Sequence, residues 1–287
     1  MSLLGATEIR ELAAKLDLNP SKGLGQNFVI DGNVCQRIVR QVSISPSDVA
    51  LEIGPGLGSL TLAILETGAP LIAVEIDSRL AKQLPDTVAL HNPEAELTVV
   101  NQDALNVMEL PKPPTVLVAN LPYNVSVPVL LNLLERFPTL REGVVMVQAE
   151  VADRLAAKPG NKDYGVPSLK GAWWADLELA GNIARSIFWP VPNVDSSLVK
   201  FVRHATPGNE ALRKLTFNVI DKAFEKRRKM LRAALSPMAS STCSTSSPMP
   251  IFLPTLLMFF ETFFPNLLTL LLISLIVEAD VVSRYFI

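Results

Sequence analysis

Apolar positions along this chain fall into two rhythms. Short, nearly continuous runs occur at 49–54 (VALEIG), 71–77 (LIAVEID), 97–103 (LTVVNQD), 115–122 (TVLVANLP) and 143–148 (GVVMVQ), and each reads as a strand buried on both faces. Between them the apolar spacing turns helical. It predicts helices over Thr7–Leu18, Asn33–Val42, the stretch after the glycine turn at 54–58, Ser78–Leu84, Pro128–Glu135 and Glu150–Ala157. Strands alternating with helices imply an α/β fold built on a parallel sheet covered on both faces. The runs 176–185 (DLELAGNIAR) and 196–203 (SSLVKFVR) alternate apolar and polar residues, as expected of antiparallel strands at one edge. A Pro-rich loop, IFWPVPNVDSS, separates them.

Composition changes along the chain divide it further. Residues 1–48 carry the first two helices and a turn-rich stretch, and 49–204 hold the regular α/β pattern. Residues 210–235 begin a basic helical C-terminal domain. Arg213–Arg232 contains eight basic and two acidic residues, although the 287-residue chain as a whole carries 26 Lys plus Arg against 28 Asp plus Glu. That balance argues against coating nucleic acid by overall charge but leaves room for a local basic face. Residues 236–287 are anomalous: a low-complexity stretch leads into an almost wholly apolar run. Pro254, Glu261, Pro265 and Asn266 interrupt that run, which favours an aberrant end on a soluble enzyme over a membrane-associated tail. Two distant cysteines and two histidines give no support to a disulfide framework or a metal cluster. The charged, amphipathic N-terminus does not read as a signal peptide, so a cytoplasmic location is expected.

Candidate chemistry concentrates at the ends of the strands. Gly54, Gly56 and Gly58 lie between a strand and a helix, where the backbone can turn tightly and approach a ligand. Nicotinamide, flavin and S-adenosylmethionine proteins all use such turns. Glu75 ends the next strand, 21 residues after Gly54, where a carboxylate can accept ribose hydroxyl hydrogens. Asp103 follows the third strand and can accept from an adenine amino group, or else cap a helix. No GK[ST] follows the glycines, so a phosphate-binding P-loop is disfavoured. At the end of the fourth strand, Asn120, Pro122 and Tyr123 bring together an amide, a free carbonyl and an aromatic ring, which suits a flat amine such as adenine N6.

Taken together, GLGQNF at 23–28, EIGPGLG at 52–58, VEID at 74–77, QDA at 102–104, NLPYN at 120–124, VQAEVADRLAAKPGNKDYG at 147–165 and FWPVPNVDSS at 188–197 closely resemble the bacterial small-subunit ribosomal RNA adenine N6,N6-dimethyltransferase family. The motifs appear in the family's order and span about residues 20–235. The resemblance implies a Rossmann-like, S-adenosylmethionine-dependent methyltransferase sheet with a small helical C-terminal domain. Its implied activity is dimethylation of two adjacent adenosines in the 3′-terminal hairpin loop of 16S rRNA, during biogenesis of the small ribosomal subunit.

Carried over position by position, the resemblance assigns Asn27 and Val29 to the methionine end of S-adenosyl-L-methionine. It assigns Gly54 and Gly56 to the glycine turn, Glu75 to the ribose, Asp103 to the cofactor's adenine and Asn120 to both cofactor and target amine. Tyr123 and Phe188 become the aromatic faces around the target base, and the Pro122 carbonyl a second acceptor. Two departures stand out: Trp189 where the family often has a small polar residue, and Asn193 where a basic one is common. RNA contacts are expected from Lys22, Lys158, Lys162, Arg185 and the cluster Lys226, Arg227, Arg228 and Lys229. The likeness ends near Ala234, so weakened RNA docking, stability and solubility are expected of this chain. The expected partner is the small subunit with its 16S rRNA, bound by a monomer with no metal and no membrane contact. Competing readings are a large-subunit rRNA adenine methyltransferase, a non-catalytic assembly protein and, more remotely, a dehydrogenase.

Overall fold

A computed structural model describes residues 2–18 and 27–225. The chain divides into two compact units, Met1–Ala205 and Thr206–Ile287.

The first unit opens with α1 (Ala6–Lys15), a short strand β1 (Phe28–Val29) and α2 (Gly32–Val39), the last capped by Asp31, whose carboxylate accepts from the Asn33 and Val34 amides. The regular alternation follows: β2 (Ala50–Ile53), α3 (Ser59–Leu65), β3 (Leu71–Glu75), α4 (Ser78–His91), β4 (Leu97–Asn101), β5 (Val116–Asn120), α5 (Ser126–Arg136), β6 (Glu142–Gln148), α6 (Ala149–Ala156), α7 (Val166–Gly171), β7 (Ala175–Ile183), β8 (Phe188–Trp189) and β9 (Ser196–Arg203). Seven of these strands form one sheet in the order β4-β3-β2-β5-β6-β9-β7. The first five run parallel, and β9 is antiparallel to both β6 and β7. The parallel α/β sheet with its antiparallel edge is the one the pattern predicts, and its Rossmann-like order is the one the resemblance implies.

Every residue of β2 and β3 and the first four of β5 are buried, which explains their unbroken apolar runs. From β2 the chain steps outward through β3 and β4, then returns to the other side of β2 with β5. The reversal leaves a crevice at the carboxyl ends of β2 and β5, the usual ligand position in open α/β sheets.

Three features differ from the sequence pattern. The helix expected to stop at Leu84 runs through Pro85 to His91, because Leu84, Thr87 and Val88 on both sides of the proline are buried and their packing offsets the lost backbone bond. α7 and the pairing of β1 with β8 have no counterpart in the predicted elements; both are too short to establish a period.

In the second unit, residues 206–225 are described and include α8 (Glu210–Glu225), where Arg213 lies over the Phe217 ring, 5.0 Å from its centroid, and bonds to Glu210. Lys226, Arg227, Arg228 and Lys229, the helix end expected near Leu235 and the 236–287 tail lie outside the described residues, as does Lys22.

Candidate active site

A cavity of about 240 Å³ opens at the carboxyl ends of β2, β3, β4 and β5. Its floor is the turn from Gly54 to Leu57. Gly54 (φ +69°) and Gly56 (φ +59°) are left-handed, a region side-chain-bearing residues reach only at a cost. A Cβ on Gly56 would sit 3.0 Å from the Phe28 ring, so the missing side chain also makes room for a cavity wall.

The carboxylate of Glu75 is buried and held in place by the backbone: Gly56 N–H donates to Oε2 at 3.1 Å, and Asp77 N–H donates to Oε1 at 2.9 Å. Each oxygen keeps lone-pair capacity for a ligand hydroxyl. Burial pushes the Glu75 carboxyl above its ordinary range, with the two backbone donors opposing that shift. Asp77 turns away to cap α4 and pair with Arg79 at 2.8 Å. Asp103 also lines the cavity while organising its own turn, accepting from the Leu105 amide at 2.9 Å and the Asn106 side chain at 3.1 Å. No helix follows Asp103 between β4 and β5, so the capping alternative does not hold; its carboxylate braces a turn and remains directed to the cavity. Ile76 and Leu105, both partly or well exposed, add apolar surface beside the two carboxylates.

On the opposite wall, Asn120 Nδ2 donates to the Asn27 carbonyl at 3.2 Å, and the Ser59 hydroxyl donates to the Val29 carbonyl at 2.6 Å. These bonds seat the 27–29 segment on the cavity, which Asn27, Phe28 and Val29 all line. With its amino group so engaged, Asn120 keeps Oδ1 as an acceptor. The Pro122 carbonyl accepts from Val125 N–H at 3.2 Å and retains a second lone pair. Tyr123 is tethered by a 2.8 Å hydrogen bond between its phenol and Ser196 Oγ, and burial raises its hydroxyl pKa.

Phe188 is not placed as the resemblance implies. It is 1% exposed, belongs to the apolar core and does not line the cavity, because as part of β8 it pairs with Val29. The next residue, Trp189, stacks on Phe28 instead, with centroids 6.4 Å apart and planes at 23°. Arg185 is half-exposed but paired to Asp195 at 2.9 Å and donates to the Asn193 carbonyl, so its charge is partly satisfied within the chain. Lys158 donates to the Leu177 carbonyl.

Glu52 was missed as a site residue in the sequence. It sits in the middle of β2, lines the cavity floor, is 1% exposed and accepts the Thr61 hydroxyl at 2.6 Å. Burial, opposed by Thr61 and reinforced by Glu75, pushes its carboxyl up to about 8. The signal available in the sequence was a charged residue inside an otherwise apolar strand.

A doubly wound sheet with a glycine turn after its first long strand, a buried carboxylate after its second and a polar amide at the head of β5 defines an S-adenosylmethionine-dependent methyltransferase. Comparison with known proteins narrows the class. The profile of the ribosomal RNA adenine dimethylase family matches residues 18–247, a stretch reaching beyond the point near Ala234 where the sequence resemblance was placed. A ribosomal RNA small subunit methyltransferase A from Leifsonia xyli subsp. xyli is 61% identical over 241 residues, covering 83% of this chain and 86% of its own. The protein of the same name from Streptomyces griseus subsp. griseus is 57% identical over 244 residues, covering 84% of each chain. Among solved structures, a dimethyladenosine transferase from Plasmodium falciparum aligns with a TM-score of 0.65 at 26% identity, covering 82% of this chain and 88% of its own. The 23S rRNA methyltransferase ErmE aligns with a TM-score of 0.61 at 27% identity, covering 74% and 84%. The chain belongs to the ribosomal RNA adenine dimethylase family.

Proposed function

We propose that this enzyme transfers methyl groups to N6 of two adjacent adenosines in the 3′-terminal hairpin loop of 16S rRNA, acting as a cytoplasmic monomer on the small ribosomal subunit. The observation that carries the reading is the state of Asn120: its amino group is committed to the Asn27 carbonyl, leaving Oδ1 as an acceptor beside Pro122 and Tyr123.

The cavity residues fit S-adenosyl-L-methionine. The glycine turn lets a ligand approach the backbone, Glu75 is preset by two amides to accept ribose hydroxyls, and Asp103 stands at the end of β4 to accept from an adenine amine. Gly54 and Gly56 form the floor, and Asn27 and Val29 the wall at the methionine end. When bound, this cofactor supplies a methyl carbon on a positively charged sulfur, so no side chain has to act as a covalent nucleophile.

The chain's own work is to hold the target base. An adenine N6 lone pair is delocalised into the ring and is a poor nucleophile. Asn120 Oδ1 and the Pro122 carbonyl can each accept one amino hydrogen, drawing the nitrogen out of conjugation, while the tethered Tyr123 ring supports the base plane. With the cofactor held by these residues, its methyl carbon would be available to the nitrogen so presented, and the surplus proton could pass to solvent. Phe188 would have to leave the core to contact the base, so Tyr123 carries the aromatic role in this conformation.

The test is Asn120→Ala. Methyl transfer from labelled donor to small subunits lacking the modification should fall about 10²-fold or more, with RNA binding retained. Mapping dimethyladenosine in the product identifies the nucleotides. Unchanged dimethylation by the variant, or label appearing in large-subunit RNA instead, would overturn the reading.

A further inference from the structure

Phe28 is a wall of the cavity, and two partners fix its position. One is the glycine turn: the space a Gly56 side chain would occupy is taken by the Phe28 ring. The other is Trp189, which stacks on Phe28 but is not among the residues lining the cavity. The stack is set by backbone pairing, since Phe28 is opposite Trp189 and Val29 opposite Phe188 in the β1–β8 ribbon, and Ile30 N–H donates to the Ile187 carbonyl at 2.8 Å. A ribbon of two residues per strand has little stability of its own. Its side chains must hold it closed. After Trp189 the loop runs to Ser196, whose hydroxyl bonds Tyr123. Residues 190–195 are thus pinned at one end to a cofactor-side wall and at the other to a target-side aromatic, and they carry the exposed Val191 and Val194.

We propose that Trp189 is a positioning residue for cofactor binding: its ring, stacked on Phe28, keeps the 27–29 segment closed against the glycine turn. This rests on the cavity being the S-adenosyl-L-methionine site. A ligand that needs the closed wall binds with an affinity reduced by the fraction of molecules in which that wall is open. Loss of the aromatic pair therefore weakens binding by at most roughly tenfold, the upper range for such a pair.

Full-length Trp189→Leu and Trp189→Phe both keep an apolar side chain at this position, and only the second keeps a ring. Calorimetric titration with S-adenosylhomocysteine should show Trp189→Leu weakened by roughly three- to tenfold and Trp189→Phe within about twofold of the parent. The KM for the methyl donor should rise in Trp189→Leu by the same factor, with kcat on small subunits little changed. A purely structural role would lower the melting temperature without this split. Wild-type affinity in Trp189→Leu, or equal weakening in both variants, overturns the proposal. Glu75→Ala run in parallel tests the cavity assignment separately: loss of binding there, with none in Trp189→Leu, refutes the role of the stack alone.

Discussion

Replacing Glu52 with glutamine isolates what it costs to bury a carboxyl beneath the cavity. In the folded protein this group titrates at about 8, against an ordinary 4.5, because burial outweighs the hydrogen bond from Thr61 and Glu75 adds repulsion. Below pH 4.5 the group is protonated in both the folded and unfolded chain and stability is unaffected. Between 4.5 and 8 the unfolded chain releases the proton while the folded one keeps it, so stability falls as pH rises; above 8 the cost is constant. At 1.36 kcal/mol per pKa unit, the full penalty is about 5 kcal/mol. Glutamine keeps the shape and an acceptor for Thr61 but cannot ionise. Urea unfolding of Glu52→Gln and wild type at several values between pH 4.5 and 9 should show curves that diverge with pH, the variant gaining on the order of 3–5 kcal/mol relative to wild type across the window. Parallel curves would show that Glu52 is already ionised in the folded state, or reached by solvent, and would refute the reasoning.

Two further outcomes follow from the geometry. Gly54→Ala and Gly56→Ala each force a left-handed alanine, costing roughly 1–2 kcal/mol in thermal or urea unfolding. An added Cβ meets ordinary contacts at Gly54 but the Phe28 ring at 3.0 Å at Gly56, so only Gly56→Ala should also shift that ring and weaken cofactor titrations severalfold. Arg203 donates to the carbonyls of Leu140, Leu134 and Phe137, satisfying the end of α5, and burial lowers its pKa. Arg203→Met should cost about 2–4 kcal/mol by urea unfolding. Methyl transfer at low temperature should be retained, because β9 reaches Arg203 beside the start of β6, at the opposite end of the sheet from the cavity.

The parallel strands β2, β3, β5 and β6 were legible because they are buried on both faces and so read as apolar blocks; β4, expected to be the same, lies at the sheet edge and is only partly buried or exposed along its length. Glu75 and Asp103 were legible because a ligand lying across the strand ends fixes where carboxylates must fall, and Asn120 because an amide followed by Leu-Pro-Tyr is an uncommon strand end. Pro85 misled: a local rule about helix interiors was overridden by packing on both sides of it. The β1–β8 ribbon was hidden because two residues carry no period and their partners lie some 160 positions away. Phe188 and Trp189 are adjacent aromatics, and only the ribbon's register decides which enters the core and which stacks over the wall. Glu52 was passed over because its burial, which gives it an unusual protonation state, is a property of the assembled sheet.

The order of strands also bears on how the protein is made. β9 lies between β6 and β7, yet it is the last of the three to be synthesised. As the nascent chain emerges, β7 appears before the strand that joins it to the sheet, and β6 presents an open flank until residue 203 is available. The cavity's carboxylates and Asn120 are all in place by residue 120. A nascent chain halted between these points would hold most of the cavity's polar side chains while leaving a sticky, unsheltered strand, so chaperone dependence and aggregation during translation should concentrate in that interval.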